Sequence, residues 1–165
     1  MTDYATQDNR EYDEDTQKDK YLIFAVGNEF YGIEIKSVIE IIGIQPITQV
    51  PDLPVYIKGI INLRGKIVPV MDVRIRFQKE PREYTDRTCV IVIENEDITI
   101  GLIVDSVSEV AVIAQADIIS RLEVNRIGSR YIKGIGKAAG EVKLILDCDT
   151  LLDDEDTNNL LTMEA

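Results

Sequence analysis

The sequence predicts a mainly β protein built as two small antiparallel barrels packed together, and three observations predict it. Short β-branched and aromatic runs alternate with Gly-marked turns, the signature of hairpins. The pattern occurs twice. Tyr56-Ile57-Lys58-Gly59-Ile60 returns 75 positions later as Tyr131-Ile132-Lys133-Gly134-Ile135, and each copy runs on through a Gly (Gly65, Gly140) to an Asp (Asp72, Asp147). Upstream, Gly32 to Ile41 aligns with Gly101 to Val110 at a spacing of 69, so the second copy carries six extra residues between its blocks. Finally, 165 residues with 45% hydrophobic content suffice to bury a core. Two copies of so long a unit point to two similar lobes rather than a solenoid, which stacks three or more repeats.

Residues 1–19 hold seven acids, two bases and almost no aliphatic side chains, too little apolar surface to offset the entropy of ordering, and read as an acidic tail. Order is expected from Lys20 to Val26, with a turn at Gly27-Asn28 and a return strand from Phe30 to Ile35. Lys36 to Ile42 is too short for periodicity to separate a helical turn from a strand. Pro46, Pro51 and Pro54 then impose extended or turning backbone. A second hairpin runs from Gly59 to Leu63, turns at Arg64-Gly65 and returns from Lys66 to Val73, with Pro69 placing that strand at an edge or bulge. Gln78 to Arg87, charged and with Pro81, has the composition of a linker. The second copy opens with Cys89 to Ile93, a turn near Asn95-Glu96-Asp97, and Ile98 to Val104; its later hairpin passes from Gly134 through Gly140 and Glu141 to Cys148. Asp149 or Thr150 is expected to cap a helix through Leu151, Leu152, Leu160 and Leu161. The expected divisions are therefore a first lobe at 20–87, a second at 88–148, and a C-terminal helix and tail at 149–165, with strand exchange between the duplicated halves left open.

The net charge of −12 is a property of the ends, because residues 20–148 carry 17 acids and 16 bases. A nearly neutral body between acidic ends argues against nucleic acid and anionic membrane as partners, since both demand clustered Lys and Arg. No apolar stretch approaches the ~20 residues of a membrane-spanning helix, and the N-terminus lacks a signal peptide's basic start and apolar middle, so a cytoplasmic location is expected. Cys89 and Cys148 lie in or beside apolar segments and read as buried free thiols.

No catalytic constellation emerges. The absence of His removes Ser-His-Asp and Cys-His arrangements and the usual zinc sites. Asp72 and Asp147 invite comparison with a paired-carboxylate protease, but Asp72 is followed by Val73-Arg74 and Asp147 by Cys148-Asp149, where such enzymes need a Thr or Ser and then Gly. An Asp at a strand exit is more simply a cap. No phosphate-binding glycine loop occurs, and Asp153-Asp154-Glu155-Asp156 lacks the spacing of a calcium loop. No cofactor or metal is expected. The informative difference lies between the copies: Asn62-Leu63-Arg64-Gly65 answers to Lys137-Ala138-Ala139-Gly140, so only one hairpin tip presents a guanidinium beside a large apolar side chain.

The run Gly59-Ile60-Ile61-Asn62-Leu63-Arg64-Gly65-Lys66-Ile67-Val68-Pro69-Val70-Met71-Asp72-Val73-Arg74 closely resembles the signature of the CheW family, and the likeness extends over about residues 20–161 through Tyr31-Gly32-Ile33, Val38 to Ile41 and Gly101 to Asp105. The resemblance implies two SH3-like five-stranded barrels about a pseudo-two-fold axis with a short C-terminal helix. It implies a non-enzymatic adaptor that couples the cytoplasmic tips of methyl-accepting chemotaxis receptors to the regulatory domain of the histidine kinase CheA in membrane-associated arrays. It further implies a receptor-binding set of Val38, Glu40, Gly59, Arg64, Gly65, Gly101 and Val107, with Glu40 paired to Arg64. The contrasting possibility is a barrel-fold ligand-binding module. Cys89 departs from the aliphatic residue common at that position, a change conservative in size.

Overall fold

The computed structural model describes residues 17–95, 97–120 and 130–152. Its elements are β1 (Lys20–Val26), β2 (Glu29–Glu34), a 3-10 turn (Ile35–Ser37), β3 (Val38–Gly43), β4 (Ile57–Leu63), β5 (Lys66–Asp72), α1 (Val73–Arg76), β6 (Cys89–Asn95), β7 (Ile98–Val104), β8 (Ser106–Val112), a 3-10 turn (Gln115–Asp117), β9 (Ile119–Ser120), β10 (Ile132–Ala138), β11 (Glu141–Leu146) and α2 (Cys148–Leu152). The segment whose periodicity was ambiguous, Lys36 to Ile42, is thus a single tight turn followed by a strand.

Two sheets result, one in the order β8-β1-β2-β11-β10-β9 and one in the order β3-β6-β7-β5-β4. These orders match strand for strand once the copies are exchanged. Each sheet takes its first hairpin from one half of the chain and its third strand and second hairpin from the other. Both contain one parallel junction, β2 with β11 and β7 with β5, and in both a glycine of the repeat, Gly32 or Gly101, faces the same repeat position, Ile145 or Val70. The extra strand β9 also has a counterpart, since Ile119 pairs with Ile135 where Thr48 bridges to Ile60 in the other copy. Among the described residues the ladders end at β8 and β9 in one sheet and at β3 and β4 in the other, so neither closes into a hydrogen-bonded barrel.

The exchange explains why the strands read as nearly continuous apolar runs rather than alternating ones. In β6, Val90 and Val92 enter a cluster with Ile61, Val68, Val70 and Ile103 inside the five-stranded sheet, while Ile91 and Ile93 enter the largest cluster. β1 behaves alike: Tyr21 and Ile23 pack with Ile113 and Ile145, and Leu22, Phe24 and Val26 join the largest cluster. That cluster draws on both sheets and on Leu151 of α2, so each sheet has a core of its own and a second one shared with its partner. On the shared side, the Arg76 guanidinium lies 4.1 Å from the ring centre of Tyr56 and 4.8 Å from that of Tyr131, the repeat-equivalent tyrosines.

Several expectations need adjustment. Pro69 sits in β5, which is an interior strand over Val70–Asp72, where it meets β7. Ile60, opposite Pro69, directs its own N–H and C=O to Thr48, so Pro69 lies at a non-hydrogen-bonded position whose outer side precedes the start of the β7 ladder. The missing amide proton therefore costs no ladder bond. The C-terminal helix is capped by Asp147, not by Asp149 or Thr150: its Oδ1 accepts from the Asp149 and Thr150 amides and its Oδ2 from the Thr150 hydroxyl. Leu160 and Leu161, and the acidic tail up to residue 16, lie outside the described residues. The stretch read as a linker is fastened down, with the Tyr84 hydroxyl donating to Asp72 at 2.9 Å and its ring packed on the cluster of the five-stranded sheet.

Candidate functional site

The hairpin between β4 and β5 turns on two residues, Arg64 at φ 53° and Gly65 at φ 85°. Left-handed conformation at both central positions is the type I′ turn, whose twist matches that of the flanking strands. Glycine adopts it freely, whereas any residue with a Cβ is held there at a cost of roughly 1–2 kcal/mol. The second copy folds the same turn with Ala139 at φ 53° and Gly140 at φ 76°. The backbone of the turn is therefore common architecture, and the guanidinium is what the first copy adds.

That guanidinium is bound in a specific way. Arg64 Nη1 donates to Glu40 Oε1 at 3.0 Å and Nη2 to Glu40 Oε2 at 2.8 Å, the parallel two-bond geometry that a planar fork and a carboxylate share. The Arg64 side chain is 76% exposed and that of Glu40 20%, so the pair lies at the surface with the carboxylate recessed beneath the guanidinium. Glu40 belongs to β3, at one end of the five-stranded ladder, and Arg64 to the tip beyond β4, at the other end. The ion pair consequently joins the two ends of one sheet. Beside it, β3 turns Ile39 and Ile41 to solvent, 50% and 42% exposed.

The other residues expected at the site divide into two groups. Val38 and Val107 hold equivalent ladder positions, opposite Ile93 and Phe24, and in each copy a bulge follows immediately, at Ile39 and Ser108. Both valines are half-buried against the shared cluster. Gly59 and Gly101 are instead buried in their strands. Gly59 has φ 147°, and a Cβ there would stand 2.1 Å from the Thr48 carbonyl oxygen. At Gly101 a Cβ would meet Val90 Cγ1 at 2.6 Å and Val70 Cγ1 at 3.0 Å. These two glycines shape the scaffold. Gly65, exposed at the turn, has nothing within 4 Å of a Cβ position, so only its φ demands glycine. One residue outside the expected set also belongs to this tip: Asn62 Oδ1 accepts the Gly65 amide at 2.8 Å.

The carboxylates once weighed as a catalytic pair are structural. Asp72 is 3% exposed and caps α1, accepting from the Ile75 amide as well as from Tyr84, and Asp147 caps α2. Among the described residues no group of three or more His, Cys, Asp or Glu is placed to hold a metal ion. Nor, among those residues, is any helix long and apolar enough to cross a membrane. Burial pushes the Cys148 thiol up to about 12, with Lys133 nearby acting in the opposite sense, so the thiol stays protonated and weakly nucleophilic.

Comparison with known proteins identifies the family of the chain. Residues 20–156 match the family model of the CheW-like domain. The chain is 35% identical over 143 residues to the chemotaxis protein CheW of Klebsiella aerogenes, covering 86% of each sequence. It is 34% identical over 148 residues to CheW of Bacillus subtilis, covering 89% of this chain and 95% of that one. The crystal structure of the scaffolding protein TtCheW from Thermoanaerobacter tengcongensis superimposes with a TM-score of 0.77 at 34% identity, over 84% of this chain and 94% of that one. A duplicated β scaffold with exchanged hairpins, one copy armed with an Arg-Glu pair at its tip, thus belongs to the CheW family.

Proposed function

We propose that this chain is a non-enzymatic adaptor of chemotaxis signalling, coupling the cytoplasmic tips of methyl-accepting receptors to the regulatory domain of the histidine kinase CheA. The observation that carries the reading is the exposed Arg64 fork held on Glu40 within a chain of the CheW family. Coupling requires no bond to be made or broken. It requires a rigid scaffold, a surface with directional polar groups for one partner, and a separate surface for the other.

In this reading the receptor meets Val38, Glu40, Arg64, Gly65 and Val107, and Gly59 and Gly101 serve indirectly by setting the strands on which those residues stand. Each sheet acts as a curled SH3-like barrel, the two related by a pseudo-two-fold axis. Support comes from the ion pair that links the two ends of the five-stranded ladder and from the separate apolar cluster inside each sheet. The lobes at 20–87 and 88–148 exchange hairpins to build them. The protein works in the cytoplasm at receptor arrays and reaches the membrane only through its partners.

The test is retention from a bacterial lysate on immobilised protein. The wild-type chain is expected to retain both CheA and receptors, and the Arg64→Ala variant to retain the kinase with much less receptor. Failure of the wild-type chain to retain either partner refutes the proposal.

A further inference from the structure

The second copy is an internal control for the hairpin tip. Its Ala139-Gly140 turn has nearly the same backbone angles as Arg64-Gly65, yet Lys137 stands where the first copy has Asn62, and a lysine side chain has no acceptor to offer. The type I′ turn therefore forms without a side-chain bond from this position. In the first copy that bond is present all the same: Asn62 Oδ1 accepts the Gly65 amide at 2.8 Å, in a part of the molecule open to water.

A bond that the turn does not need serves something else that the first copy adds at this tip. Of its two additions, Leu63 and Arg64, only Arg64 makes directional bonds that depend on how the tip is held. A two-bond fork on a carboxylate tolerates little error in angle. The guanidinium reaches across from the far end of the ladder to Glu40, so a small rocking of the hairpin tip is amplified at the end of the arginine side chain. Tying the Gly65 amide to Asn62, three residues back and on the body of β4, removes that rocking. We propose that Asn62 is a positioning residue, whose side-chain oxygen holds the β4–β5 tip so that the Arg64 fork is presented in register with Glu40.

The inference rests on the reading of Arg64 as a receptor-facing group, and its test separates the two. Three variants are compared: Asn62→Ala, which removes the acceptor without adding charge; Asn62→Asp, which restores it; and Arg64→Ala. The direct readout is the side-chain NMR signal of the Arg64 Nη1 and Nη2 groups and their protons, which make the two bonds to Glu40, followed with thermal melting and receptor–kinase coupling. Asn62→Ala is expected to melt within a few degrees of the wild type, because the second copy shows the turn to be self-sufficient. Its Arg64 signal is expected to broaden or exchange with water at least several-fold faster, and its coupling to fall several-fold. Asn62→Asp is expected to recover both. An Arg64 signal equally sharp and protected in Asn62→Ala overturns the positioning role, whatever coupling does. Unchanged coupling in Arg64→Ala overturns the receptor-facing reading while leaving the guanidinium readout to decide for or against Asn62.

Discussion

Arg64→Ala is the substitution for which the structure sets stability and function furthest apart. The turn already exists in the same chain with alanine, since Ala139 and Arg64 share φ 53°, so the change imposes no new backbone strain. What it removes is an ion pair whose guanidinium side is 76% exposed. Pairs of that kind contribute about 0–1 kcal/mol, which for a protein of this size shifts the melting temperature by no more than about 4 °C. Glu40 keeps its carboxylate near water and is not stranded in a core. An arginine buried at the centre of an interface, in contrast, commonly costs about 2 kcal/mol on truncation, roughly thirtyfold in affinity. The assay is kinase activation in a reconstituted mixture of receptor, CheA and increasing amounts of this protein, run beside a calorimetric melt. A titration midpoint displaced about thirtyfold with a nearly unchanged melt is the expected result. A coincident titration curve refutes the role assigned to Arg64, and a melt lowered by more than about 10 °C refutes the argument that the turn is indifferent to the residue it carries.

Three further outcomes are expected. Gly101→Ala forces a methyl to within 2.6 Å of Val90 Cγ1, overpacking that costs about 1–3 kcal/mol, and Gly59→Ala, facing the Thr48 carbonyl oxygen at 2.1 Å, costs more; calorimetry is expected to rank their melting temperatures in that order, and the reverse order contradicts the packing argument. Burial alone raises the Asp105 carboxyl, but hydrogen bonds from Arg74 and the Gly27 amide and the attraction of Arg74 and Arg82 outweigh it and hold the group below its usual value. A carboxyl depressed in the folded state adds stability above its unfolded pKa of about 3.9 and loses it as pH falls through the folded value, so denaturation midpoints measured from pH 5 to pH 2 are expected to fall more steeply for the wild type than for Asp105→Asn. Iodoacetamide at pH 8 is expected to modify Cys148 slowly in the folded protein and rapidly in urea, as mass spectrometry reads it; rapid native labelling contradicts its burial.

How far the sequence discloses the structure depends on which residues carry the information. Hairpins are local, and Gly27-Asn28, Arg64-Gly65 and Ala139-Gly140 all turn where the glycines indicate, because left-handed backbone is a property of the residue itself. The pairing of hairpins is not local. Nothing in the repeat states that β2 meets β11 and β7 meets β5, since a hairpin from either copy presents the same apolar faces to either sheet. Pro69 was legible as an obstacle but not as one placed where the ladder has no bond to lose. At the site, the contrast between copies singles out Arg64, the family resemblance alone supplies Glu40 as its partner, and the geometry brings them together. Two glycines of the expected set, Gly59 and Gly101, stand where a Cβ has no room, a constraint imposed by Thr48 and Val90 on neighbouring segments of the chain that the motif alone does not reveal. Asn62 was visible only as one letter of a motif, since its role depends on a bond to a backbone amide.

The central claim is that this chain physically joins receptor to kinase, and co-sedimentation measures that directly. Receptor-containing membranes are pelleted with purified CheA in the presence and absence of the protein. The account predicts that CheA enters the pellet in proportion to the protein added, and that it does so without any nucleotide being consumed. Equal pelleting of CheA with and without the protein contradicts it.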